Sequence, residues 1–296
     1  MHDTEGRLRP VDGILIFGTA YLASTIVTLL LTAVVPIRTN AAIAATVLFG
    51  VAVVLLRITV GNPWRYVGVR PVRPRVVFYS LVASLAIIIP TLSLESVIAR
   101  FIQVPEAVIE ALIEMLRARS LPELIYVWLV AAVGAAVSEE FIFRGILQTC
   151  LAERVRGWVA VFLTALVFGL LHTIWRLPQA FVLGSFLGFL YLRTGSLIPP
   201  LIGHLVINSV SVVVIFLGET YGIEAIPAWA VEFRSPSLIL VGLSLGVFFG
   251  SMMLVWRFSA AEAQPGLPAG TASVSDDGTP AGHLPPSEAD RSTLRP

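Results

Sequence analysis

Long uninterrupted apolar runs constrain this chain more than any other feature. A segment crosses the hydrocarbon core of a bilayer as a helix when about 20 consecutive residues are predominantly apolar, and several runs here approach or exceed that length. With 56% hydrophobic and 13% charged residues and a mean hydropathy of +0.87, the chain reads as an all-α polytopic membrane protein. The expected spans are Gly13 to Pro36, a second after Arg38-Thr39-Asn40 reaching about Leu56, then Val76 to Leu94 and Leu124 to Leu151. Four more follow, at Trp158 to Thr173, Gln179 to Leu192, Leu197 to Leu217 and Leu238 to Trp256. That makes about eight transmembrane helices, the sixth short for a full crossing. The first run is too long for a secretory-signal core and lacks a small-x-small cleavage site, so a retained span is expected.

The transmembrane domain is expected to occupy residues 1–258. Residues 259–296, rich in Pro, Ala, Gly, Ser and Asp, cannot bury enough surface to fold and read as a disordered cytoplasmic tail. Between spans three and four, Val108, Ile109, Leu112, Ile113 and Leu116 share one face of a helix opened by Pro105, while Glu106, Glu110 and Glu114 take other positions. This is the pattern of an amphipathic interfacial helix, either a connector or a gate. Gly184/Gly188 and Gly242/Gly246/Gly250 have the spacing of helix-packing surfaces.

Loop charge sets the expected orientation. With the N-terminus inside, eleven arginines fall on inner segments (Arg7, Arg9, Arg57, Arg65, Arg70, Arg73, Arg75, Arg154, Arg156, Arg193, Arg257) against six on outer ones. That bias places both termini in the cytoplasm of a multi-pass protein of the cell membrane. All twenty basic side chains are arginine and the net charge is +1. No basic block or aromatic platform for nucleic acid is present. The single cysteine, Cys150, excludes an intrachain disulfide and a Cys-cluster metal site, and its apolar setting suggests a packed, inert thiol.

Polar groups inside these runs are few. The fourth span holds Glu139, Glu140 and Arg144, and ionisable groups in hydrocarbon cost several kcal/mol each. Glu140 and Arg144 are four apart and can pair on one helix face; Glu139 points about 100° away. His172 and His204 are the two histidines of the apolar body, and Asn208 lies one turn beyond His204. At about 1.5 Å per residue these groups lie roughly 15–25 Å above the inner flank and could meet Glu139 in one intramembrane polar cavity. A lone His or Asn in a span is more often interhelical glue. Several such groups at one depth favour a shared site.

Glu139-Glu140-x-x-x-Arg144, Phe168-x-x-x-His172 and His204-x-x-x-Asn208 resemble the three motifs of the CPBP intramembrane proteases. This family, also called ABI, contains the type II CAAX prenyl endopeptidases and bacteriocin-processing or immunity proteins. The flanks Phe143-Arg144-Gly145, Phe168-Gly169, Thr194-Gly195-Ser196-Leu197 and Pro199-Pro200 agree as well. The likeness runs from about Leu124 to Val210, within a protease core of about 124–217. It implies an intramembrane endopeptidase acting on membrane-associated peptides or proteins, prenylated or leader peptides among them. Glu139 and His172 would then activate water, His204 and Asn208 would donate to the oxyanion, and Glu140 and Arg144 would brace the site. A carboxylate in such a pocket can act first as base and then as acid. The family is often classed with the metalloendopeptidases. Zinc is the candidate metal, with Glu139, His172 and His204 as its ligands; glutamate-activated water without a tightly bound metal is the reading preferred here. A non-proteolytic scaffold or immunity protein and a proton-coupled transporter are the alternatives. No internal repeat supports the last.

Overall fold

The structure is a computed structural model that describes residues 8–221 and 237–259. Its elements are all helices. They are α1 (Pro10–Leu31), α2 (Ile37–Val60), α3 (Pro63–Tyr66), α4 (Pro74–Ile98) and α5 (Glu106–Leu116). Then come α6 (Leu121–Ala152), α7 (Gly157–Leu170), α8 (Leu177–Thr194), α9 (Ile198–Tyr221) and α10 (Leu238–Ser259). The expected tail lies outside the described residues apart from Ser259, which ends α10.

Among the described residues six helices (α1, α2, α4, α6, α9, α10) are long and apolar enough to cross a membrane. The expected fifth and sixth spans are the shorter pair. α7 has 14 residues, about 21 Å of helix against a hydrocarbon core of about 30 Å. α8 has 18 residues, its apolar character diluted by Gln179, Arg193 and three polar or glycine positions at 184, 185 and 188. The expected fifth and sixth spans thus form a shorter hairpin, α7 packed on α8, and helix length alone does not establish a count of eight. Glu95 of α4 pairs with Arg176 at 3.5 Å and holds the turn of that hairpin.

One other boundary differs for an identifiable reason. Arg38 and Asn40 do not interrupt the chain but form the first turn of α2. The Asn40 amide donates to Thr28 O (3.0 Å) and Thr32 Oγ1 (3.2 Å) at the end of α1. Arg38 donates to the carbonyls of Glu114 and Arg117 at the end of α5. Polar residues that look like a break thus satisfy helix-terminal groups of neighbouring elements. The amphipathic helix is present as α5 and buries none of its residues fully.

Two larger core clusters and a smaller one of Ala118, Val127 and Val212 set the packing. Residues of α1, α2, α3 and α6 (Ile16, Ala20, Leu56, Ile142, Ile146) form one, reaching Phe168. Residues of α4, α8 and α10 (Ala83, Ile87, Phe186, Leu190, Phe248, Val255) form the other. Gly242, Gly246 and Gly250 do not pack against the described residues: a Cβ at any of them would meet none of their atoms within 4 Å. α10 instead turns Phe248, Ser251, Val255 and Ser259 inward, so the expected glycine interface on this helix is corrected.

The arginine-rich α2–α4 connection docks against the ends of α8 and α10. Arg70 donates to Thr194 O (2.9 Å), the Ser196 hydroxyl to Arg70 O (2.6 Å) and the Leu197 amide to Gly68 O (3.0 Å). Gly68 has φ +75°, and a Cβ there would lie 2.6 Å from Gly195 O, so this close approach of two turns requires glycine. Cys150 is buried beside Tyr66 (3.4 Å). Burial, with the nearby thiol, pushes the Tyr66 phenol well above its ordinary range, which keeps it neutral.

Candidate active site

α6 carries the two glutamates, and its backbone is unusual around them. Leu121–Val127 is α-helical, Trp128–Gly134 is π-helical, Ala135–Glu140 returns to α, and Phe141–Gln148 is π-helical again. π segments inside an α-helix widen the ladder and recur at functional sites. Here they flank Ser138, Glu139 and Glu140 on both sides.

The adjacent carboxylates have opposite environments. The Glu140 side chain is wholly buried. Its Oε1 accepts from Arg144 Nη1 at 2.7 Å and from the Nδ1–H of His204 at 2.7 Å. Glu139 keeps 26% of its side chain exposed, and its Oε2 stands 3.8 Å from His204 Nε2. His204 therefore spans the pair, tied to the inner carboxylate by one nitrogen and facing the outer one with the other.

Arg144 is as buried as Glu140 and reaches across to α8. Its Nη2 donates to Gly184 O (3.1 Å), and its guanidinium lies 5.1 Å from the Phe168 ring centroid. One turn on, Gln148 repeats the arrangement, donating from Nε2 to Gly188 O at 2.9 Å. Gly184 and Gly188 are packing positions, as their spacing suggests. A Cβ at Gly184 would sit 3.1 Å from Ala165 Cα, a backbone atom with no side-chain freedom to yield. Gly184→Ala should therefore push α8 from α7 and cost about 1–3 kcal/mol, read as a lowered melting temperature in detergent. An unchanged melt would contradict this packing.

His172 lies just beyond the end of α7, in the turn towards α8, rather than inside a span. Its Nδ1–H donates to Phe168 O at 2.7 Å, which makes Nε2 the accepting nitrogen of the neutral ring. The Phe168 ring centroid is 4.5 Å from that of His172, 6.3 Å from that of His204 and 4.9 Å from that of Phe143. One aromatic side chain thus braces both histidines and the arginine.

Glu139 and His172 line the same cavity, about 400 Å³. Its walls come from Tyr21 to Leu29 on α1, Ala41 to Leu48 on α2, and Val130 to Phe143 on α6, with Met115 of α5 contributing. His204 and Asn208 lie behind this lining. Asn208 donates from Nδ2 to Ala131 O at 3.3 Å, in the first π segment. Beside it the Trp128 indole donates to the Ser209 hydroxyl at 2.8 Å.

Residues 121–210 match the family model described as Rce1-like, type II CAAX prenyl endopeptidase. The chain carries an Rce1-like domain. The match begins at the first residue of α6 and ends within α9, so it contains every residue of the three motifs. α1 and α2, which supply the facing wall of the cavity, lie outside it. No curated protein and no solved structure matches the chain.

No three His, Cys, Asp or Glu side chains are grouped to hold a metal ion among the described residues. No step of the reaction proposed for this site is assigned to a metal. Sequence reasoning missed Gln148, whose signal is a polar residue one turn after Arg144 in an apolar run. It also missed Tyr21, which no motif marks.

Proposed function

We propose that this Rce1-like protein is an intramembrane endopeptidase that hydrolyses peptide bonds of membrane-associated peptides or proteins, with the Glu139 carboxylate as the base. The observation that carries this reading is the division of labour between the two glutamates. Glu140 is fully buried and engaged by Arg144 and His204, whereas Glu139 is partly exposed to a cavity that also holds His172. Like charges this close need different environments if one is to stay ionised and reactive.

In this scheme Glu139 takes a proton from a water that also hydrogen-bonds to Nε2 of His172. The water oxygen adds to the scissile carbonyl carbon, and the carbonyl oxygen becomes an oxyanion. As the C–N bond breaks, Glu139 returns the proton to the departing amine, acting as base and then as acid. The oxyanion draws on the Asn208 amide proton not engaged by Ala131 and on His204 when Nε2 is protonated. The buried Glu140–Arg144 pair fixes His204 from behind. Substrate enters laterally from the bilayer, and both termini face the cytoplasm.

Purified protein incubated with a quenched-fluorescent peptide library should release fluorescence, and His172→Ala should lower the rate by about 10²-fold or more. Activity should persist after exhaustive chelation. Loss on chelation, restored by zinc, would replace the glutamate–water scheme with a metal-assisted one. Equal cleavage by His172→Ala would remove His172 from the mechanism.

A further inference from the structure

A tetrahedral intermediate needs hydrogen-bond donors aimed at the oxygen that gains charge. Most hydroxyls lining the cavity are already committed. Ser24 donates to Ala44 O, Thr25 to Tyr21 O, Thr28 to Ser24 O and Ser138 to Gly134 O, at 2.7–2.9 Å. One Asn208 N–H is held by Ala131 O, and the His204 Nδ1–H by Glu140. Tyr21 differs from them: among the described residues its hydroxyl is hydrogen-bonded to no other, and it lines the cavity with Glu139 and His172.

The Tyr21 ring is held by the aromatic column that holds His172. It stacks on Phe17 (6.1 Å between centroids, 14° between planes), and Phe17 meets Phe143 edge-on (5.3 Å, 74°). Phe143 meets Phe168 edge-on (4.9 Å, 89°), and Phe168 carries the carbonyl that orients His172. A phenol fixed in this way is a preorganised donor, which costs no reorganisation when charge develops.

We infer that Tyr21 is a catalytic residue whose hydroxyl donates a hydrogen bond to the substrate carbonyl oxygen as it becomes an oxyanion. This rests on the endopeptidase reading, and it makes α1, outside the matched domain, the opposing face of the active site. The phenol supplies a neutral donor that needs no change of protonation, unlike His204.

Tyr21→Phe keeps the ring and its stack and removes only the O–H. In the full-length protein it should lower kcat by about 10²-fold with KM within about twofold, as loss of one oxyanion donor does elsewhere. A peptide phosphonate, which carries a tetrahedral anion, should bind this variant at least about 10-fold more weakly by fluorescence anisotropy, while the parent peptide binds both proteins equally. Wild-type kcat and phosphonate affinity in Tyr21→Phe overturn the proposal and leave the protease reading intact. A raised KM with unchanged kcat also overturns it, because Tyr21 would then hold the ground state alone. If wild type cleaves nothing yet Tyr21→Phe loses the phosphonate preference, the donor stands and hydrolysis falls. If wild type neither cleaves nor prefers the phosphonate, both fall.

Discussion

Glu139→Gln is expected to abolish peptide hydrolysis, by about 10³-fold or more, and to leave the fold intact. The amide has the shape of the carboxylate but cannot take a proton from water, and general-base catalysis contributes about 10²–10⁴-fold in other enzymes. Stability should hardly change. Glu139 is partly exposed, and His204 Nε2 stands 3.8 Å from its Oε2, beyond a hydrogen bond. The pair of measurements is peptide cleavage rate and thermal melting on the same purified sample. A variant that melts as wild type and cleaves as wild type would remove Glu139 from the chemistry. One that melts far lower would show that its role is structural.

Arg144→Ala should do the opposite, destroying the fold before any question of rate arises. Removing one partner of a buried ion pair costs about 3–5 kcal/mol, because the other charge is left uncompensated. Glu140 is fully buried, its Oε2 has no hydrogen-bond partner among the described residues, and the His204 Nδ1–H alone would remain on its Oε1. The same substitution frees Gly184 O and withdraws the cation from the Phe168 ring. The expected result is a collapse of the apparent melting temperature and poor accumulation in the membrane. Arg144→Lys should rescue little, since an ammonium cannot serve Glu140 and Gly184 in two directions with a planar fork. Replacing both charges, Glu140→Gln with Arg144→Met, should recover much of the stability, because no unpaired ion remains. If Arg144→Ala melts like wild type, the pair does not brace the site.

Much of this arrangement was legible in the sequence because it follows helix geometry. The four-residue spacing of Glu140 and Arg144 predicts the ion pair seen at 2.7 Å. The 100° offset of Glu139 predicts that the second carboxylate faces elsewhere. Gly184 and Gly188 were identifiable as contact positions, although the carbonyls they present to Arg144 and Gln148 were not. Other features have no side-chain signature. The two π segments are changes of backbone register within one apolar run, and hydrophobic periodicity does not distinguish i→i+5 from i→i+4 over seven or eight residues. The shortness of α7 is hidden for a related reason: Leu171 and Ile174 continue the apolar run past Leu170, the last residue of the helix, so the apolar pattern places His172 inside a span. The glycines of α10 have the spacing of a packing face and no partner against it among the described residues; spacing alone does not say which side of a helix is covered. Tyr21 was out of reach because its relation to Glu139 is tertiary, made by α1 crossing in front of α6.

The central claim is that Glu139 delivers a water oxygen to a peptide carbonyl. It is tested most directly by incubating wild type and Glu139→Gln with a cleavable peptide in ¹⁸O-water and weighing the products by mass spectrometry. Wild type should yield a fragment whose new carboxyl terminus carries one ¹⁸O, and Glu139→Gln should yield uncut peptide. The same labelled fragment from both proteins at equal rates would contradict the account.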